Sequence, residues 1–457
     1  MQAGVTVVEA RWIVPVRPQG AVLEHHAAVI EGGCIRELLP TAQARARYPA
    51  AHRVALERHV LLPGLINTHG HSAMALLRGV GDDLPLERWL RDRIWPLERA
   101  VVDGPFVYHG ARLAAAEMLR AGVTCCSDMY FYPAEAAQGL RSLGMRAVVG
   151  ILAIDFPSRY ASDADDYIRQ GLAARDALMD DPLIGFTVAP HAPYTVADAT
   201  LLRLAALAEE LDLQLHIHVH ETAQEVEDGQ RQHGMRPLAR LERLGLVNER
   251  LIAVHATQLL DAEIELLARS GSSIVHCPTS NLKLASGIAP TARLLAAGVN
   301  VAIGTDGAAS NNRLDLLREA NLAALLAKGQ TGQAQSLPAW QALECATLGG
   351  ARALGLEAQI GSIEPGKQAD LAALDLGGVE NQPCPDVISQ IIYCAGREHV
   401  THVWVAGAAV LVERNICGNG EPSTSAEVLL SAAPWQNLVR QRLRETAGTA
   451  PGGAPTK

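Results

Sequence analysis

The sequence predicts an α/β protein, a (β/α)8 TIM-type barrel with a small β-sandwich domain built from both chain ends. Three observations predict it. Over roughly 250 residues, apolar strand-like runs alternate with amphipathic helical runs about eight times. The texture before and after that stretch is β instead. Histidine and charged residues finish six of the eight predicted strands, and a parallel barrel keeps its chemistry at that end. A doubly wound open sheet is the competing arrangement, but no glycine-rich phosphate loop follows the first strand.

Residues 1–60 are read as the N-terminal part of the small β domain. Their apolar runs are Val5-Thr6-Val7-Val8, Arg11-Trp12-Ile13-Val14 and Ala27-Ala28-Val29-Ile30, and Gly32-Gly33 after the last marks a tight hairpin. Residues 61–357 are read as the barrel. Its strands are predicted at 60–68, 122–129, 146–152, 184–190, 214–220, 251–256, 272–277 and 299–305. Amphipathic runs at 103–121, 163–179, 198–211, 261–270, 289–297 and 312–328 supply helices. The first strand opens as the apolar run Leu61-Leu62-Pro63-Gly64-Leu65-Ile66, suited to burial on both faces. A further helix is predicted at 338–354. Residues 358–420 return to the β domain, with a strand end and turn at 361–367 and strands at 369–374 and 400–405. Residues 421–457 are read as a helix near 425–445 and a Gly-, Pro- and Ala-rich tail that is expected to be disordered.

With 457 residues and 49% hydrophobic composition, the chain can bury a large core. Its net charge is −10, and it has no Lys/Arg block, which argues against nucleic acid as a partner. The eight cysteines include no C-x-x-C pair and read as reduced thiols. The first residues lack a signal-peptide pattern and no apolar run reaches membrane-spanning length, so a cytoplasmic protein without membrane contact is expected. A homo-oligomer is expected on general grounds.

The strand ends hold the chemistry. His69 and His71 end the first strand and, one residue apart, point the same way. His191 ends the fourth. The fifth reads Leu215-His216-Ile217-His218-Val219-His220-Glu221, the sixth ends in His255, the seventh begins its exit at His276, and the eighth ends in Thr305-Asp306-Gly307. Buried polar groups need partners, and a metal ion is one that several can share. His69, His71, one histidine of the fifth strand and Asp306 would meet the needs of a catalytic metal. The three fifth-strand histidines share one face, so periodicity does not choose among them.

Four motifs, Pro63-Gly64-Leu65-Ile66-Asn67-Thr68-His69-Gly70-His71, His218-x-x-Glu221, Val254-His255 and Gly304-Thr305-Asp306-Gly307, resemble the metal-dependent amidohydrolase superfamily. Glu364-Pro365-Gly366-Lys367-x-Ala369-Asp370-Leu371 extends the resemblance into the β domain. Narrower marks are Leu76-Leu77-Arg78-Gly79-x-x-Asp82-Asp83-Leu84-Pro85-Leu86, Trp89-Leu90-x-x-x-Ile94-Trp95-Pro96-x-Glu98 and Asp306-Gly307-Ala308-Ala309-Ser310-Asn311-Asn312. They are similar to those of deaminases acting on 5′-methylthioadenosine and S-adenosylhomocysteine. The resemblance implies one divalent ion per subunit, zinc by expectation, held by His69, His71, His218 and Asp306. It selects His218 because the family's Glu stands three residues beyond its ligand, which leaves His216 and His220 structural. It implies Glu221 as proton carrier, His255 as the group orienting water or polarising the attacked centre, and Asp306 as acceptor of the water proton. Glu98 would accept from the ribose hydroxyls and His191 would touch the nucleoside. The implied reaction is loss of the adenine 6-amino group as ammonia to an inosine-type product, adenosine itself included among candidate substrates, through hydroxide that the metal activates.

Plainer readings stand beside these. Glu221 could cap a helix, His255 could be a core histidine, Glu98 a surface carboxylate, and His191 part of a rigid Pro-His-Ala-Pro loop. His276 is read as structural, Trp89 and Trp95 as core, and Arg159 as solvent-facing rather than as a partner of a carboxylate-bearing substrate. The same metal site could instead serve guanine, 8-oxoguanine or a triazine. From another class, the chain could be a non-catalytic barrel scaffold.

Overall fold

The computed structural model describes residues 4–418 and 424–448. Eight strands form a parallel sheet in strict chain order: β5 (Leu65–Gly70), β6 (Val123–Asp128), β7 (Arg146–Ala153), β8 (Ile184–Pro190), β9 (Leu215–Val219), β10 (Leu251–His255), β11 (Ser273–His276) and β12 (Asn300–Ile303). Every residue of β6 and β7 is buried, which is why these strands read as unbroken apolar runs. The ring closes between β12 and β5. There the Asp306 N–H donates to the His69 carbonyl at 3.0 Å, and the Thr305 N–H donates to Asn67 Oδ1 at 2.9 Å. Gly304 permits this approach, since a Cβ on it would stand 2.9 Å from the His69 backbone nitrogen.

The second sheet also has eight strands, drawn from both ends of the chain: β1 (Thr6–Ile13), β2 (Leu23–Glu31), β3 (Cys34–Pro40), β4 (His52–Pro63), β13 (Leu371–Asp375), β14 (Val400–Val405), β15 (Ala408–Val412) and β16 (Asn415–Ile416). Its order is β16-β15-β14-β13-β4-β1-β2-β3, so β4 pairs with β13 and joins the two ends. The β2–β3 hairpin turns at Gly32-Gly33, both at positive φ, as the sequence suggests. The predicted barrel with a small domain from both termini is the fold observed.

The expected single strand at 60–68 is two strands. β4 ends at Pro63 in the small sheet, the chain breaks at Gly64, and β5 begins at Leu65 in the barrel. Along β4, Val60 and Leu62 face the barrel core while Leu61 faces the small domain's own core. Both environments are apolar, so the run looks continuous in sequence. At the break the Gly64 N–H donates to the Asp370 carbonyl at 2.8 Å, and any Cβ would collide with Thr124. Asp370 itself forms a bidentate, buried pair with Arg146 at the start of β7, at 2.9 and 3.1 Å, fastening one domain to the other.

The expected helix at 338–354 is also two, Ala339–Cys345 and Leu348–Ala353. The interruption turns the Ala346 carbonyl toward β5, where it accepts from the Ile66 N–H at 2.9 Å. Helices Pro133–Arg141, Ala223–His233, Pro237–Arg243 and Val387–Tyr393 were absent from the pattern and are present in the fold. The last helix, Ser425–Gly448, packs on Gly104–Leu119 with Phe106 and Trp435 edge to face at 5.9 Å. Disorder expected of the tail concerns residues that, from 449 on, lie outside those described. Among the described residues no helix is long and apolar enough to cross a membrane.

Candidate active site

The C-terminal rim of the barrel brings the sequence-predicted residues together. His69 lies in β5 and His71 just beyond it, His218 lies in β9, and Asp306 follows β12. Asp306 Oδ1 is 3.4 Å from His69 Nε2 and 3.2 Å from His71 Nε2. His218 Nε2 is 3.2 Å from His69 Nε2. His69 with His71 and Asp306, and His69 with His218 and His255, each place one ligand-type atom per residue within 4.8 Å of the others.

The far side of each ring is committed. His71 Nδ1 donates to the Met129 carbonyl, and His218 Nδ1 donates to the His191 carbonyl at 2.6 Å. A carbonyl only accepts, so both rings carry hydrogen on Nδ1 and point Nε2 inward, where a metal ion would replace any proton on it. Asp306 is held by the Ser310 hydroxyl at 2.6 Å and its neighbour's Gly307 N–H at 2.7 Å, with Ser280 donating as well. Three inward imidazole nitrogens and a carboxylate oxygen are the donor set that a tetrahedral or five-coordinate divalent ion takes.

Burial and the neighbouring groups act together on this cluster. Burial works against charge on His71, but the adjacent Asp306 carboxylate outweighs it and raises the imidazole to about 9. Burial carries His69 the other way, down to about 4. Burial also pushes at the Asp306 carboxyl, yet hydrogen bonds from His69 and His71 hold it well below the usual carboxylate range.

Glu221 follows β9 and is buried. Its Oε2 lies 3.7 Å from His255 Nε2. His255 Nδ1 pairs with Asn281 Oδ1 at 2.8 Å. Glu221 is not the helix cap; Thr222 is, accepting from the Glu225 N–H. Glu225 in turn accepts the N–H groups of His220 at 2.9 Å and Glu221 at 2.6 Å, locking the loop. Burial raises the Glu221 carboxyl, with Asp306 adding to the rise and His255 opposing it.

These groups line an open cavity whose wall is mostly apolar. Glu98 sits in it and is buried on helix Trp95–Val101, so the surface reading is corrected. The Tyr130 hydroxyl donates to Glu98 Oε1 at 2.7 Å, and burial raises Glu98 to about 7. His191 lines the same cavity, with Nδ1 3.0 Å from the Thr195 hydroxyl, and burial lowers it to about 3. Trp89 is buried, donating to the Val80 carbonyl at 3.0 Å, while Trp95 is half-buried; both face the cavity. Arg159 is exposed at the mouth and donates to the Ala100 carbonyl at 3.2 Å.

The remaining histidines separate. His220 follows the end of β9 at positive φ and accepts from the Leu238 N–H at 3.1 Å, away from the cluster. His276 is buried and neither ring nitrogen has a hydrogen-bond partner among the described residues. His216 contacts His69 directly, with His69 Nδ1 3.0 Å from His216 Nε2. The sequence reading missed Tyr130, Glu225 and Asn281. Tyr130 stands two residues past Asp128 at the end of β6, a strand end without a histidine. Nothing in the sequence marks the other two.

A closed parallel barrel with imidazoles and carboxylates turned into one rim cavity defines a hydrolytic enzyme of the metal-assisted class. The chain belongs to the amidohydrolase family, whose model matches residues 60–410. It is 45% identical over 432 residues to the 5-methylthioadenosine/S-adenosylhomocysteine deaminase of Teredinibacter turnerae, covering 94% of this chain and 97% of that one. It is 43% identical over 352 residues to the 5′-deoxyadenosine deaminase of Methanothermobacter thermautotrophicus, covering 77% and 82%. A crystal structure of an adenosine deaminase from Xanthomonas campestris with bound zinc superposes with a TM-score of 0.93 at 51% identity, covering 95% and 98%.

Proposed function

We propose that this chain hydrolytically deaminates adenosine derivatives, 5′-methylthioadenosine and S-adenosylhomocysteine first among them, to the inosine-type product and ammonia. The observation that carries the reading is the convergence of His69, His71, His218 and Asp306 in the cavity that also holds Glu221, His255 and Glu98. The similarity to deaminases of such nucleosides over nearly the whole chain supports the substrate class.

His69, His71, His218 and Asp306 would hold one zinc ion per subunit. Bound there, it would bring the pKa of water to about 7 and so supply hydroxide near neutral pH. Asp306 would accept the proton released when water is activated and pass it to the departing amine. Glu221 delivers a proton to purine N1 as the oxygen bonds to C6 and then takes back the proton of the new C6 hydroxyl, while the amine, protonated from Asp306, departs as ammonia. A carboxyl raised by burial suits that acid–base duty. His255, turned by Asn281, stabilises charge at the attacked centre. Glu98 accepts from the ribose hydroxyls, and His191 contacts the nucleoside.

The test is ammonia release from 5′-methylthioadenosine, S-adenosylhomocysteine, adenosine, guanine and 8-oxoguanine under one set of conditions. Turnover of the adenosine derivatives is expected. Turnover of the free bases with none of the nucleosides would overturn the assignment.

A further inference from the structure

His216, an imidazole outside the proposed ligand set, is fully buried in β9, as is Ser127 in β6. His69 Nδ1 lies 3.0 Å from His216 Nε2, and His216 Nδ1 lies 3.2 Å from the Ser127 hydroxyl. Three side chains from three strands thus form one line ending at the centre of the donor cluster.

His69 differs from its neighbours in what its far nitrogen meets. His71 and His218 each face a carbonyl, which dictates their tautomer. An imidazole can accept or donate, so the line has two self-consistent directions. In one, His216 donates Nε2–H to His69. His69 then carries its hydrogen on Nε2 and has no lone pair facing Asp306. In the other, His69 Nδ1–H donates to His216 Nε2, His216 Nδ1–H donates to the Ser127 oxygen, and His69 Nε2 is bare.

The geometry points to His216, backed by Ser127, as a positioning residue that sets the tautomer of His69 and thereby the affinity of the cluster for a divalent ion. This rests on the reading that His69 is a metal ligand. A ligating histidine ordinarily gives its second N–H to a fixed acceptor, and losing that acceptor costs about 10- to 100-fold in affinity. Leucine at 216 would leave the His69 N–H buried and unpaired. Glutamine would restore an acceptor oxygen on the same strand.

Zinc affinity of the full-length wild type, His216→Leu and His216→Gln, measured by competition with a chelating dye, tests this. Circular dichroism of each metal-free protein checks the fold. His216→Leu should bind zinc about 10- to 100-fold more weakly than wild type, with His216→Gln recovering most of the loss. Equal affinity in wild type and His216→Leu, or no recovery by His216→Gln, would overturn the proposal while leaving His69 a ligand. Failure of the wild type to bind zinc at all would overturn both. Should His216→Leu not fold, nitrogen NMR of the zinc-loaded wild type with labelled histidine decides. Hydrogen on His216 Nδ1 is expected, and hydrogen on its Nε2 would contradict the assignment.

Discussion

Glu221 Oε2 stands 3.7 Å from His255 Nε2, and both groups are held from behind. His255 is turned by Asn281, and the Glu221 backbone is held by Glu225. Both line one cavity, so a carboxyl and an imidazole stand side by side in its wall. An acid–base carboxyl and a polarising imidazole can then act on one substrate atom from two directions.

Glu221→Gln should remove the proton carrier and keep the donor cluster. Metal content is expected to match wild type, while kcat falls by about 10²- to 10⁴-fold. Steady-state rates beside metal analysis check both halves. An unchanged rate would remove Glu221 from the chemistry.

Glu98 should trade stability for recognition. Its folded pKa of about 7 lies above the ordinary 4.5, so between those values the folded state keeps a proton that the unfolded chain has lost. Stability from this group is therefore lost as pH rises from 4.5 through about 7, by on the order of 3 kcal/mol. Glu98→Gln is expected to melt above wild type at pH 8 and near it at pH 5. Turnover of nucleosides bearing both ribose hydroxyls should fall in Glu98→Ala, with 2′,3′-dideoxy substrates spared. An equal loss on both would contradict the ribose contact.

Asp306→Asn should weaken the cluster's hold on zinc, because a neutral amide replaces the one carboxylate among three imidazoles. A ligand at a thousand times its Kd stabilises the folded state by about 4 kcal/mol. Zinc should therefore raise the melting temperature of wild type, and chelation should reverse it. Asp306→Asn should show much less of either change in a thermal scan.

Arg146→Met should strand Asp370 as a buried, unpaired charge beside the junction of the two sheets. A loss of about 3–5 kcal/mol is expected from the single change. Joint replacement of Arg146 and Asp370 by apolar residues should regain much of it. Denaturant titration of the three proteins reads this, and a neutral Arg146→Met would contradict it.

Much of this fold was legible because a parallel barrel buries its strands on both faces. β7, buried at every position, shows as an apolar run with no alternation to interpret. The same property hid the break at Gly64, where Leu61 and Leu62 pass between two different cores that look alike in sequence. The cluster was legible because strand ends converge by topology, so His69 and Asp306 could be brought together across more than half the chain. What lies behind the cluster was not. His216 and His220 share a period-two face with His218, yet only His216 reaches His69, since the chain turns at positive φ at His220. Asn281 and Glu225 hold the site through one and two hydrogen bonds between common residue types, which carry no pattern of their own.

The most direct measurement is ammonia release from 5′-methylthioadenosine by the protein stripped of metal and then returned to one equivalent of zinc. Activity should vanish on stripping and return in proportion to zinc, saturating near one ion per chain. Undiminished turnover in the stripped protein, or no ammonia from any adenosine derivative at full zinc occupancy, would contradict a metal-assisted deaminase.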